Sequence, residues 1–166
     1  MNHHSHRPDH QHPELAQAAQ AIQDPEVKAA AAQELGMSEA FLEHALTPQN
    51  VGALPRPDGY GRGKGSCGDV MELYLKVEDE RVADARFMPQ GCAHTVACGS
   101  ALTSLIKGRP LGEAAQVDAD AIENELGGLP RDHRHCAVLA ATTLRSALRD
   151  YYQRRRQPWK KDYDRR

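Results

Sequence analysis

Gly65-Ser66-Cys67-Gly68-Asp69 places a thiol and a carboxylate two residues apart on a glycine-flanked backbone. Aimed at one point, a thiolate and a carboxylate make a mixed soft and hard metal site, and the glycines let the chain turn tightly or be approached closely. Alone, Cys-x-Asp is a weak signal, and a turn with a surface aspartate and a half-buried cysteine fits it as well. The rest of the cysteine map sharpens it. Gly91-Cys92 follows a strand-like segment, and His135-Cys136 opens the last strong helical pattern. Cys67 therefore stands at a strand's entrance, and Cys92 and Cys136 stand at or near helix starts. Unpaired N–H groups and partial positive charge at a helix start lower a thiol's pKa and favour the thiolate, the form that binds metal or accepts sulfur. The expectation is one shared site of Cys67, Asp69, Cys92, His135 and Cys136, with His94 and His133 as outer groups. Cys98 lies six residues beyond Cys92, rotated off that face of the helix, and is expected in the core.

The spacing excludes simpler sites. No Cys-x-x-Cys occurs, so zinc ribbons, thioredoxin-type redox pairs and ferredoxin-type cluster loops are poor matches. The donors come from three separate places and must be assembled by the fold.

The chain has 166 residues, a formal charge of −2 and only 5% aromatic residues, which predicts one domain with appendages around a modest aliphatic core. Near-neutral charge argues against nucleic acid as a partner. No run approaches a membrane-spanning length, and the start lacks the basic-then-apolar order of a secretory signal, so no membrane partner and a cytoplasmic location are expected. In that compartment four cysteines stay reduced, which favours metal, catalytic or sulfur chemistry over disulfides.

Several elements must position the site. Residues 1–13 hold five histidines and read as a disordered, His-rich tail. Residues 14–37 read as an alanine-rich helical extension with a break at Asp24-Pro25, where Asp24 can cap a second helix; Gly36 stops it. Packing or contacts in a homodimer are its expected roles. Ser38 can cap a short helix over Glu39–Ala45, and residues 52–66 read as a mobile or edge-strand segment. Its Gly61-x-Gly63-x-Gly65 has no strand before it and no helix after it, which rejects nucleotide binding. Val70–Val77 alternates as a half-buried strand with Met71, Leu73, Leu75 and Val77 inward. A turn at Glu78-Asp79-Glu80 makes a hairpin with Arg81–Met88, which Pro89-Gln90-Gly91 is expected to break. A helix follows over Cys92–Lys107, then a short one capped by Asp118, then a long one capped by Asp132 and reaching Tyr152. Residues 153–166 read as a frayed basic tail, or a docking tail for an acidic partner. The fold class is α+β, with about three antiparallel strands packed against several helices.

From about Ser38 to Tyr152 the chain resembles the U-type iron–sulfur cluster assembly scaffolds, of the IscU and NifU N-terminal-domain kind. The resemblance rests on Thr47-Pro48-Gln49-Asn50-Val51-Gly52, Cys67-Gly68-Asp69-Val70-Met71, Asp84-Ala85-Arg86-Phe87, Gly91-Cys92, Lys107-Gly108 with Leu111, and Leu126-Gly127-Gly128-Leu129-Pro130 before His135-Cys136. The Leu-Gly-Gly-Leu-Pro stretch is closer to the NifU branch. The SufU type usually carries an insertion between its second and third cysteines and lacks the histidine before the last, and this chain differs from it on both counts.

The resemblance implies a short antiparallel sheet covered by helices, with the site at one exposed end. It implies a non-enzymatic scaffold in residues 38–152, without the further cluster-binding domains of full-length NifU proteins. Such a scaffold takes sulfur from a cysteine desulfurase, combines it with iron as a transient [2Fe–2S] cluster, and hands the cluster to apo iron–sulfur proteins. By position, Cys67, Cys92 and Cys136 resemble cluster ligands and sulfur acceptors. Asp69 resembles the group that keeps the cluster labile, and His135 an alternative ligand. Three thiolates plus a harder carboxylate or imidazole hold a cluster less firmly than four thiolates. Zinc is a further occupant of such sites, and a zinc-dependent sulfurtransferase relaying persulfide sulfur is the competing function; a structural zinc protein is a third. An Hsp70-type chaperone reads Leu-Pro-Pro-Val-Lys in the IscU type, whereas Leu129-Pro130-Arg131-Asp132-His133 keeps only the Leu-Pro.

Overall fold

The computed structural model describes residues 20–159. The His-rich tail, the start of the helical extension and residues 160–166 lie outside the described residues. Helices α1 (Pro25–Leu35) and α2 (Glu39–Leu46) precede three strands, β1 (Gly59–Lys64), β2 (Val70–Glu78) and β3 (Arg81–Gln90). Then come α3 (Ala93–Ile106), the one-turn α4 (Leu111–Ala114), α5 (Ala119–Glu125), a 3-10 turn (Arg131–His133) and α6 (Arg134–Arg156). The strands form an antiparallel meander in the order β1-β2-β3. The fold is therefore α+β, as the patterning predicts.

Local chemistry sets the helix ends. Asp24 caps α1 by accepting from the Glu26 amide at 2.9 Å, and Gly36 closes it in the left-handed region at φ 64. Ser38 caps α2 by accepting from the Phe41 amide at 2.9 Å, and its hydroxyl donates to the Leu126 carbonyl, tying α2 to the end of α5. Asp118 caps α5.

In β2, Met71, Leu73 and Leu75 are fully buried, while Glu72, Tyr74 and Lys76 face the other way and are half-buried. Val77, expected to join the buried row, is only partly covered, because the ladder shifts register between Lys76 and Val77. Asp79 and Glu80 both have positive φ, 51 and 59, as a tight two-residue hairpin turn requires. β3 runs two residues past its expected end. Pro89 pairs opposite Met71 on an edge strand, where a proline is tolerated if its missing N–H would face away from the partner.

The glycines of β1 serve helix packing. A Cβ on Gly61 would stand 2.6 Å from the Ala147 amide nitrogen, and one on Gly59 2.6 Å from the Ala147 carbonyl. Only a strand without side chains there lets α6 lie directly on the sheet. α3 is the central helix, buried through Ala97, Cys98, Ala101, Leu102 and Ile106 as well as Thr95, Ser100 and Thr103. Cys98 is fully buried, a core residue as expected, and burial pushes its thiol pKa far up.

Two expectations near the C-terminus need correction. Asp132 does not cap the last helix. It is spent inside the 3-10 turn that follows Pro130, so α6 starts one residue later, at Arg134, with His133 at the cap position and no side-chain cap bond. Nor does the last helix end at Tyr152. Arg154, Arg155 and Arg156 are helical; Arg154 Nε lies 2.9 Å from Asp150 Oδ2, and Arg155 pairs with Glu80. Among the described residues no helix is long and apolar enough to cross a membrane.

Candidate metal centre

Strand register brings the chemistry to one end of the sheet. Val70 pairs with Gln90, so Asp69 stands beside Gly91 as the chain leaves β3. Cys67 sits in the turn between β1 and β2, closed by the Gly65 amide donating to the Asp69 carbonyl at 2.7 Å and by Gly68 at φ 90. Cys92 is the cap residue of α3. Cys136 is the third residue of α6. Cys67 and Cys92 are exposed, whereas Cys136 is buried.

Asp69 is the hub. Its Oδ2 accepts the Thr95 hydroxyl and the Cys92 amide, the latter at 3.3 Å. The Thr95 hydrogen bond is the main influence holding its carboxyl below the ordinary range, against burial that pushes it up; the Cys67 and Cys92 thiols also hydrogen-bond to it. The carboxylate is therefore anionic at neutral pH and held in place. Gly91 is required by this contact, because a Cβ there would collide with the Asp69 carboxylate, reaching within 2.5 Å of its Cγ.

The thiols are not all activated. Cys92 Sγ lies 3.7 Å from Thr95 Oγ1 and 3.9 Å from His94 Nδ1. Thr95 also reaches Cys136 Sγ at 3.5 Å. Burial pushes the Cys136 thiol up to about 11 despite that hydrogen bond, and the neighbouring Cys92 and Asp69 push the same way. A helix start was expected to lower this pKa, but desolvation outweighs the helix end here.

Among the described residues, the donors whose ligand atoms all lie within 4.8 Å of one another are Cys92, His133 and Cys136. His133 stacks on His94 with ring centres 3.6 Å apart and planes 1° from parallel, and His94 rests against Phe41 at 5.0 Å. His135 lies outside this group, its ring 6.1 Å from that of His133. Cys67 and Asp69 adjoin the group through the Asp69 hydrogen bonds rather than belonging to it. Two thiols and an imidazole, with a carboxylate alongside, suit zinc, iron or an iron–sulfur unit.

Comparison with known proteins places this arrangement. Residues 37–158 match the family described as the NifU-like N terminal domain. The chain belongs to that family. It is 41% identical over 118 residues to the iron–sulfur cluster assembly scaffold protein IscU 1 of Archaeoglobus fulgidus, a match covering 70% of this chain and 77% of the relative. It is 38% identical over 126 residues to IscU of Escherichia coli K12, covering 73% of this chain and 98% of that protein. The crystal structure of a NifU-like protein (N-terminal) from Brucella abortus shares the fold, with a TM-score of 0.55 at 21% identity over 70% of this chain and 94% of that one.

Within this NifU-like domain, two members of the centre carried weak sequence signals. Thr95 is three residues after Cys92 in the first turn of α3, the spacing that puts two side chains on one face. His133 stands in the same relation to Cys136 across the start of α6. Sequence reading assigned His133 an outer place and did not single out Thr95.

Proposed function

We propose that this NifU-like domain is an iron–sulfur cluster assembly scaffold, a carrier rather than an enzyme, that builds a transient [2Fe–2S] cluster at the end of the sheet and passes it to apo-proteins. The supporting observation is the convergence of Cys67, Asp69, Cys92 and Cys136, from three separate places, on one hydrogen-bonded end of the fold. Cys67 and Cys92 are exposed, and so open to a cysteine desulfurase carrying a persulfide. In the sulfur step a scaffold thiolate attacks the outer sulfur of that persulfide; the donor's S–S bond breaks, its cysteine leaves as thiolate, and the scaffold cysteine becomes the persulfide. Two electrons from an external reductant turn each such sulfur into cluster sulfide. Asp69 supplies an oxygen donor, and His135 is one residue from Cys136 as an alternative nitrogen donor. An oxygen or nitrogen donor holds iron less firmly than a fourth thiolate, which suits a cargo that must leave. Of the Hsp70-read stretch only Leu129-Pro130 is kept, so transfer is expected to run without that chaperone.

The test is anaerobic reconstitution with iron, cysteine and a desulfurase, then mixing with an apo-ferredoxin while visible circular dichroism is followed. A signal that forms and then moves to the ferredoxin is expected. A colourless chain that keeps zinc and stimulates the desulfurase overturns this reading in favour of a sulfurtransferase, a role the Cys92, His133 and Cys136 donor set would also suit.

A further inference from the structure

We infer that two copies of this chain associate with α1 of each copy lying along the outer face of α6 of the other, an acidic helix on a basic one. The surface lies about 20–30 Å along α6 from Cys136, at 1.5 Å per residue, and the inference stands whether or not a cluster is built at the thiols.

The basic half is the outer face of α6. Val138, Thr142, Arg145, Arg149, Tyr152 and Arg156 recur at alternating steps of four and three residues, so they form one stripe, and each of them is exposed. The helix carries six arginines and one carboxylate, Asp150. Three of the arginines are matched within the chain: Arg134 with Asp120 and Glu123, Arg154 with Asp150, and Arg155 with Glu80. Among the described residues Arg145, Arg149 and Arg156 have no ion-pair partner. Arg145 lines a cleft beside Asp118 and Asp120, but Asp118 is spent capping α5 and Asp120 on Arg134. The helix end favours a cation in its last turn, which accounts for Arg156. Arg145 and Arg149 lie further in, where that effect has faded and like charges four residues apart repel. A carboxylate from outside the chain would relieve them.

The acidic half is α1. Its only buried residue is Ala32, and its lysine, Lys28, is spent on Glu43. On the side opposite Ala32, Glu26, Val27, Ala30, Gln33 and Glu34 fall within about 120° of arc, and all are exposed. No cation interrupts that face, and neither Glu26 nor Glu34 has an ion-pair partner among the described residues. The two faces match in spacing. Glu26 and Glu34 stand about 12 Å apart along α1, and Arg149 and Arg156 about 10 Å apart along α6, so both glutamates reach both arginines. Val27 and Ala30 then lie over Tyr152, between the two charge pairs. Arginine and tyrosine are the residue types that dominate binding energy at protein interfaces.

Both halves of the match are on this chain, yet no ion pair joins them within one copy. That makes a second copy the occupant. An eleven-residue helix is only about 16 Å long, so one such contact falls short of the roughly 800 Å² per partner that a stable complex buries. A two-fold axis makes the contact twice, α1 on α6 and α6 on α1, and closes the pair.

The test is sedimentation equilibrium of the full chain over a range of concentrations, with chelator and reductant present so that neither a metal nor a disulfide can bridge two copies. The weight-average mass is expected to rise with concentration from one chain toward two, and to fall back when salt is raised from about 50 mM to about 500 mM, since the charge pairs are then screened. Arg149→Glu with Arg156→Glu in one chain, and Glu26→Lys with Glu34→Lys in another, are each expected to be monomeric. An equal mixture of the two restores both contacts with the charges exchanged, and is expected to associate again. A wild type that stays monomeric at every concentration, an association that survives either reversal, or a mixture that stays monomeric overturns the inference. Far-ultraviolet circular dichroism verifies that each variant folds. If a reversed chain does not, the single exposed substitution Arg149→Gln decides: its dimer dissociation constant is expected to rise at least about fivefold, and an unchanged constant overturns the inference.

Discussion

Thr95 Oγ1 stands between Asp69 and Cys136, hydrogen-bonded to the carboxylate and 3.5 Å from the buried sulfur. A hydroxyl has one proton to give. The shorter contact, to the carboxylate, takes most of it; burial pushes the Cys136 thiol up to about 11, and the shared Thr95 proton lowers it too little to offset that. An arriving cation supplies the missing stabilisation and expels the proton. Thr95 thus keeps Asp69 charged and aimed while leaving Cys136 dependent on the metal.

Replacing Thr95 by valine removes the hydroxyl donor at the hub and keeps the side chain's shape. Asp69 then loses the hydrogen bond that does most to hold its carboxyl low, and zinc affinity is expected to fall about 10- to 100-fold, the usual cost of losing a partner that orients a ligand. Thr95→Ser keeps the hydroxyl and is expected to restore most of the affinity. Chelator competition measures both, and equal affinity in all three chains would contradict this role.

Asp69→Ala addresses release rather than capture. With the oxygen donor gone, the thiolates and imidazole hold the cargo without a weak member, and transfer to an apo-ferredoxin is expected to slow several-fold while reconstitution persists. Stopped transfer mixtures followed by visible circular dichroism give the rate. A rate equal to that of the wild type would remove Asp69 from the release step.

Two glycines separate stability from site geometry. Gly61→Ala drives a Cβ to 2.6 Å from the Ala147 nitrogen, backbone that cannot yield without lifting α6 off the sheet, and about 1–3 kcal/mol of stability is expected to be lost. Gly91→Ala instead meets the end of the Asp69 side chain, which can swing. It is expected to leave the urea midpoint closer to wild type but to weaken zinc binding. The reverse ranking in the two assays would refute the distinction.

Much of this was legible in the sequence, for local reasons. Met71, Leu73 and Leu75 alternate with polar residues, and Asp24, Ser38 and Asp118 carry the short acceptors that cap helices, so strands and helix starts follow from side chains close by. The glycines of β1 could be seen as unusual but not as the floor under α6, since Thr143 and Ala147 lie eighty or more residues away. The site shows the same divide. Register brings Cys67, Asp69 and Cys92 together, but whether His133 or His135 faces Cys136 depends on one 3-10 turn after Pro130. Likewise the buried state of Cys136 is set by packing of α6 against α3 and the sheet, which no property of the dipeptide His135-Cys136 reveals.

Stability should also depend on a histidine remote from the metal. His44 Nδ1 lies 2.7 Å from Ser100 Oγ, which accepts the Gln49 amide at 2.8 Å. The Ser100 hydroxyl proton is therefore free to point at His44, and Nδ1 must be bare to accept it. Burial lowers the His44 pKa below its ordinary 6.5, against the opposing pull of Glu125 and Glu43. The sign follows: between the folded value and 6.5 the unfolded chain binds a proton that the folded chain refuses, so this contribution is fully present above 6.5 and is lost as pH falls through the folded value. His44→Asn keeps an acceptor at the Nδ1 position but cannot titrate. Urea unfolding at about pH 7.5 and about pH 5.5 is expected to show a larger loss for the wild type than for His44→Asn. The other histidines are common to both chains and cancel in the comparison. Equal losses would mean that the Ser100 bond survives protonation, with His44 donating and Ser100 Oγ accepting both its neighbours.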